Sequence, residues 1–341
     1  MARKPTSDKT AIRSALITGG DAWDTILGQR NTVSDALTGA DFSDTELAGR
    51  DLSELNFEQA DFYKANLQSS NLKKSDFRNA EMSLANLQDA AFYKADLSSA
   101  IVQEAVLTGA DLSSSTCVGA DFRGAKLEGV NFSDADLRGC DFSHCDMRGC
   151  NLSGADVTGA IFHFTQLADA NVTHLKYGGY KDLSGCYHGV RGIDSVYGNA
   201  LFVRDARDQD YIDTLQHSIA DLPPGLLKNL ESFLFRAWGL IDHGRSLVKV
   251  SFYAFIVANF YGLIYLADMT LGWQIMDYSN SARTWFTPFY YSVVTYTTLG
   301  FGDVTANSLL GELLVISEVI VGYFTLGLLL AILANTIARR S

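Results

Sequence analysis

"ADFYKANLQSSNLKKSDFRNA", residues 60–80, comes back to the same kind of residue at every fifth position. Phe62, Leu67, Leu72 and Phe77 are the large apolar centres, and Ala60, Ala65, Ser70, Ser75 and Ala80 each stand two residues before a centre. An α-helix repeats near 3.6 and a strand at 2, so neither produces this spacing. The phase runs outward from Leu37 to Val172 as 28 centres without an insertion, Cys117 being the least hydrophobic. A coil of four short faces meets the pattern, since each corner turns the chain and each face sends one large and one small residue inward. Centres twenty apart then stack. Phe42, Phe62, Met82, Val102, Phe122, Phe142 and Phe162 form one column, and Leu47, Leu67, Leu87, Leu107, Leu127, Met147 and Leu167 the next.

Residues 37–175 therefore resemble the pentapeptide-repeat family, whose fold is a right-handed quadrilateral β-helix. Seven coils about 4.8 Å apart predict a rod of roughly 34 Å. Arg50 and Leu55 occupy small slots, which predicts irregular first coils. Residues 1–36, with Trp23 and Ile26, are expected to cap the open end, as terminal repeats require.

Cys140, Cys145 and Cys150 invite a zinc reading, with His144 and His163 close in sequence. All three occupy the small inward slot on successive faces, and thiols on different sides of a packed rod do not converge on a tetrahedral site. Buried small cysteines are the other reading. Without a secreted-type disulfide pattern, the cysteines fit a reducing compartment.

Charge is unevenly spread over the 341 residues. Residues 1–175 hold 15 basic against 25 acidic side chains, and residues 176–341 hold 12 against 14. An acidic front half repels phosphate, which argues against nucleic acid as a partner. Acidic rods of this family also imitate DNA and bind topoisomerases, a function the resemblance offers for residues 37–175 taken alone. The other reading is a stiff spacer, or a docking platform for an unidentified cytoplasmic partner.

Residues 176–222 lose the period and, with six glycines between Gly178 and Gly198, read as a connector with a charged helix over 203–215. Pro223 and Pro224 open the next segment, 223–245. There Leu226, Leu227, Leu230, Phe233, Leu234, Ala237, Trp238 and Ile241 share one helical face, which predicts an amphipathic helix lying on membrane lipid. A soluble packing helix is the alternative.

Leu247–Ala267 carries one charge, Lys249, and Leu309–Ile337 only Glu312 and Glu318; both are long enough to cross a bilayer. The expected elements are an outer transmembrane helix at 246–268, a turret, pore half-helix and filter at 269–304, and an inner transmembrane helix at 305–341. Arg236, Arg245, Arg339 and Arg340 lie outside the pair and only Arg283 between them, so both termini are expected in the cytoplasm. No secretory signal precedes the repeats, in agreement. The expected location is the cell (inner) membrane, with two passes.

Between the spans, Thr284–Thr297 is apolar but too short to cross, and "TTLGFGD" (297–303) follows it. Non-helical backbone at membrane depth survives only where it lines a wet path. Carbonyls of Thr298, Leu299, Gly300, Phe301 and Gly302 can aim at one axis if alternate residues take positive φ, which glycine does freely. Four such strands replace the water shell of a monovalent cation, and one loop per chain means that four chains enclose the axis.

The order of span, half-helix, TTLGFGD and span resembles potassium channels with two transmembrane helices and one pore loop. The resemblance covers roughly residues 246–341. It implies K⁺ held at Thr298, Leu299, Gly300 and Phe301, filter support from Thr297, Tyr290, Tyr291 and Asp303, and a homotetramer. It puts an inner-helix hinge at Gly322, with Gly327 as a second soft point, and Tyr323, Leu326, Leu330 and Ala334 along the cavity and gate. Val294 stands where some relatives carry a glutamate, and Phe301 where tyrosine is commoner, so a non-selective monovalent cation channel shares the same architecture. Asp303 then needs another donor, with Tyr290 a candidate. Glu318, an intramembrane charge, is either a structural brace or a gating or pH element. The chain shows no voltage-sensor arginine pattern and no nucleophile–base set of an enzyme. The resemblance implies no cofactor, K⁺ being the permeant ion. A membrane-tethered binding platform with a vestigial pore is the remaining alternative.

Overall fold

The computed structural model describes residue 14 and residues 37–178, 186–240, 246–297, 299 and 302–338, with side chains to Ala334. The expected cap at 1–36 otherwise lies outside the described residues. Two compact units divide the chain, Met1–Ser218 and Ile219–Ser341.

In the first unit the residue before each centre bridges in parallel to the residue twenty positions on, from Asp41 with Asp61 to Asn151 with Asn171. All 28 centres are no more than 2% exposed, so the period of five is a four-faced coil around an apolar core. The residue two after each centre turns the corner with positive φ, from 52° at Asp44 to 62° at His144 where it is not glycine. Asp and Asn recur before the centre because their side chains accept the amide two residues on, as Asp61 Oδ1 does from Tyr63 at 2.9 Å. They also ladder between coils: Asn151 donates to Asn131 at 3.0 Å and Asn171 to Asn151 at 3.1 Å.

The small slot has its own chemistry. Ser75 donates to Leu52 O at 2.7 Å, and Cys140, Cys145 and Cys150 donate to Cys117 O, Phe122 O and Leu127 O at 2.8–2.9 Å. The three thiols thus face three different carbonyls on successive faces. Burial pushes the Cys145 thiol up to about 12. The first coils are regular, contrary to the expectation from Arg50 and Leu55: Asp51 bridges Asn71 and Asn56 bridges Asp76. Leu55 and Leu175 share a column with Ser75, Ala95, Ser115, Ala135 and Ala155, stand first and last in it among the described residues, and are both buried.

Past Val172 the coil continues. Gln166 pairs with Arg191 and Asn171 with Tyr197, a closing coil longer than the others. Helix α1 (Ala200–Asp221) then buries Phe202 and Ala206 in the same core. Phe122, Phe142, Phe162 and Tyr187 stack in series at 5.2–5.4 Å, and Phe202 meets Tyr187 edge-on at 6.0 Å. Where described, residues 176–222 close the rod as well as leading away from it. The aromatic column needs an apolar lid, and α1 supplies one.

In the second unit, α2 (Leu226–Leu240) buries no residue, and Leu226, Leu227, Leu230, Phe233 and Leu234 are all more than half exposed. Residues 241–245, with Ile241 and Arg245, lie outside the described residues. Helix α3 (Leu247–Leu271) starts at Ser246, whose side chain accepts the Lys249 amide at 3.3 Å, and stops at Gly272, with φ +69°. A two-residue strand, β1 (Met276–Asp277), pairs antiparallel with β2 (Thr305–Ala306), Met276 facing Ala306. Between them runs the short helix α4 (Thr287–Tyr296), opened by Pro288, and after them the long helix α5 (Leu309–Ala338). Helices α3 and α5 are long and apolar enough to cross a membrane and mostly exposed in the single chain.

Candidate functional site

Helix α4 is too short to span a bilayer, and both long helices pack against it. Its attachment to α3 begins at Gly262, where a Cβ would come within 2.6 Å of the Phe289 ring. Ser292, in the middle of α4, donates to Ala258 O of α3 at 2.6 Å and also touches a carboxyl oxygen of Glu318 on α5. Tyr265 of α3 donates to the other carboxyl oxygen at 2.8 Å. Glu318 is fully buried and joins all three helices.

One turn further along both α4 and α5, the contact repeats by a different means. A Cβ on Gly322 would lie 2.1 Å from Tyr296 O, so only glycine lets the end of α4 approach the inner helix this closely. The Tyr296 hydroxyl completes the join at 2.6 Å from Thr325 Oγ1. Gly327, by contrast, has nothing within 4 Å of a would-be Cβ. The two glycines expected as hinges therefore stand in unlike surroundings, one a close-packing point and the other open.

The outer ends are held as well. Asp268, buried at the end of α3, accepts the amides of Ile275 and Met276 at 2.9 and 3.0 Å. Tyr278 donates to Tyr265 O at 3.0 Å, and Tyr265 meets Tyr291 of α4 edge-on at 5.1 Å. The small β1–β2 sheet thus ties the segment entering α4 to the segment that follows TTLGFGD. Strands of two residues are too short to leave a periodic trace.

Thr298, Gly300 and Phe301 lie outside the described residues. Thr297 caps α4, its hydroxyl donating to Val293 O at 2.7 Å, and the Leu299 amide donates to Val294 O at 2.9 Å. Leu299 is 64% exposed in the single chain. Gly302 has φ +75°, a conformation that glycine adopts without strain. Asp303 buries an oxygen, Oδ1, with no hydrogen-bond partner among the described residues. Tyr291 is buried, 7% exposed, whereas Tyr290 is 38% exposed. Tyr323, Leu326, Leu330 and Ala334 are all exposed in the single chain. An apolar cavity of about 320 Å³ beside the end of α4 is lined by Tyr296, Thr297, Gly322, Tyr323 and Leu326.

Residues 40–173 match the pentapeptide repeats family, in eight copies, and residues 251–339 match an ion channel family. The chain joins pentapeptide repeats to an ion-channel domain. Solved structures similar to the repeat region include the plasmid-mediated fluoroquinolone resistance protein QnrB1, 22% identical over 42% of this chain and 86% of that one, with a TM-score of 0.29. A pentapeptide repeat protein from the Arabidopsis thaliana thylakoid lumen is 24% identical over 51% and 90%, with a TM-score of 0.19. One from Nostoc is 29% identical over 36% and 84%, with a TM-score of 0.16. No match was found among curated proteins. The coil geometry of the repeat region rests on its own ladder of bridges.

Proposed function

We propose that four copies of this chain form a potassium-selective channel that conducts K⁺ passively across the cell membrane, with the repeats in the cytoplasm as regulatory or docking elements. The observation that carries the reading is α4, a half-length helix fastened to two membrane-length helices and ending at Thr297, where TTLGFGD begins. A helix C-terminus carries about half a negative charge, which favours a cation beyond it. Carbonyls of Thr298, Leu299, Gly300 and Phe301 then take over the hydration of a dehydrated K⁺. The exposed apolar faces of α3 and α5 supply area for lipid and for neighbouring copies. The bare leucine and phenylalanine face of α2 suits the lipid interface.

One observation favours a second reading, a non-selective cation pore. Val294 offers no carboxyl partner to Asp303, whose Oδ1 is unpaired among the described residues, so the filter is less braced from behind. Flux from liposomes holding the purified full chain tests both. Barium-sensitive K⁺ flux well above Na⁺ flux supports the first; equal rates support the second. No flux at all removes the channel reading and leaves a membrane-tethered platform.

A further inference from the structure

The Ser292 hydroxyl oxygen touches two oxygens at once, the Ala258 carbonyl at 2.6 Å and Glu318 Oε1. A backbone carbonyl only accepts, and so does an ionised carboxylate, while a serine hydroxyl brings a single proton. With Glu318 ionised, two acceptors compete for that proton, and one contact becomes oxygen against oxygen with no hydrogen between. Tyr265 cannot mend this, because its hydroxyl already lies 2.8 Å from the other carboxyl oxygen, Oε2.

The count closes in one way. A proton on Glu318 Oε1 donates to Ser292 Oγ, Ser292 donates to Ala258 O, and Tyr265 donates to Oε2. Every contact then holds one hydrogen. The surroundings agree. Glu318 is fully buried and forms no ion pair among the described residues. Among the described residues its side-chain hydrogen-bond partners are hydroxyls, and hydroxyl pairs also join the neighbouring helix contacts: Tyr261 faces Ser317 at 3.0 Å and Tyr296 faces Thr325 at 2.6 Å. A buried carboxylate without a counter-ion is among the costliest states a protein can hold, whereas a fully hydrogen-bonded carboxylic acid is not.

We infer that Glu318 is a resident proton-binding site, a carboxylic acid whose proton fastens the middle of the half-helix to the inner helix. Ser292 and Tyr296 lie one turn apart on α4, and Glu318 and Gly322 one turn apart on α5, so the two contacts are in register. Thr298 follows Tyr296 by two residues. Glu318 is thus a positioning residue for the filter, acting through Ser292. This role rests on the channel reading, but the proton count does not.

The test is infrared spectroscopy of the purified full chain at neutral pH, taken as a difference against Glu318→Gln. A protonated-carboxyl carbonyl band lost in the variant is the expected result. A carboxylate band in its place overturns the inference. In the flux assay, Glu318→Ala should lose about five- to thirtyfold, the loss expected from one buried hydrogen-bond group. Glu318→Gln should recover most of it, because an amide N–H replaces the acid O–H toward Ser292 and its carbonyl still accepts from Tyr265. Glutamine as deficient as alanine, in protein that melts like the parent, overturns the positioning role. The infrared band needs no conduction, so its presence in a protein without flux condemns the channel reading and not the proton.

Discussion

His188, on the closing coil of the rod, and His217, on helix α1, stack face to face with ring centroids 3.9 Å apart and planes 9° from parallel. Around them, Gly189 N donates to Asp210 at 2.8 Å and Tyr187 N to Asp213 at 3.3 Å, so the same helix face that carries His217 also holds the coil's backbone. His163 approaches His188 edge-on at 6.5 Å.

Burial lowers the pKa of His188, and His217 and His163 push it the same way against Asp210 and Asp213. A folded-state value below the unfolded one, about 6.5 for histidine, means that the unfolded chain binds more protons in between. The contribution is therefore complete above that value and is lost as pH falls through it toward the folded value. Amide exchange in residues 200–218 of the full chain should quicken between neutral and mildly acidic pH, and His188→Phe should flatten that dependence.

Gly322→Ala should weaken the pore unit, because its methyl must displace the Tyr296 carbonyl by more than an ångström. A loss of about 1–3 kcal/mol is expected from such overpacking, read as an earlier melt of the detergent-solubilised protein with reduced flux. Gly327→Ala meets nothing within 4 Å and should melt at or slightly above the parent temperature.

In the rod, Phe142 stacks between Phe122 and Phe162 at 5.2 and 5.4 Å. Phe142→Ala should cost about 3–5 kcal/mol, while Tyr63→Ala, on the surface, should stay within about 0.5 kcal/mol. Denaturant titration followed by circular dichroism separates the two.

Cys140, Cys145 and Cys150 should resist alkylation in the native protein, since burial holds each thiol well above its ordinary pKa and each donates to a carbonyl. Mass spectrometry after brief labelling should find them unmodified, then modified on addition of denaturant.

The period of five was legible because every coil spends the same slots on the same jobs, so Phe62 or Leu127 announces its burial by position alone. The lid was not. Tyr187 and Phe202 obey no repeat, and their burial depends on the column they finish. Helices α3 to α5 were visible from length and hydropathy. The joins between them were hidden, because Tyr265 and Ser292 meet Glu318 across 53 and 26 residues. The resemblance puts a hinge at Gly322, but nothing near it in sequence announces that Tyr296 O packs against it.

The coil's bookkeeping also constrains how such a gene can change. Ahead of the closing coil, each face takes five residues and each circuit twenty. A duplication of twenty residues would lengthen the rod by one storey and return α1 to the same compass bearing. An insertion of five would swing the lid through a quarter turn about the axis. Natural variants of this chain should therefore differ in length by whole circuits.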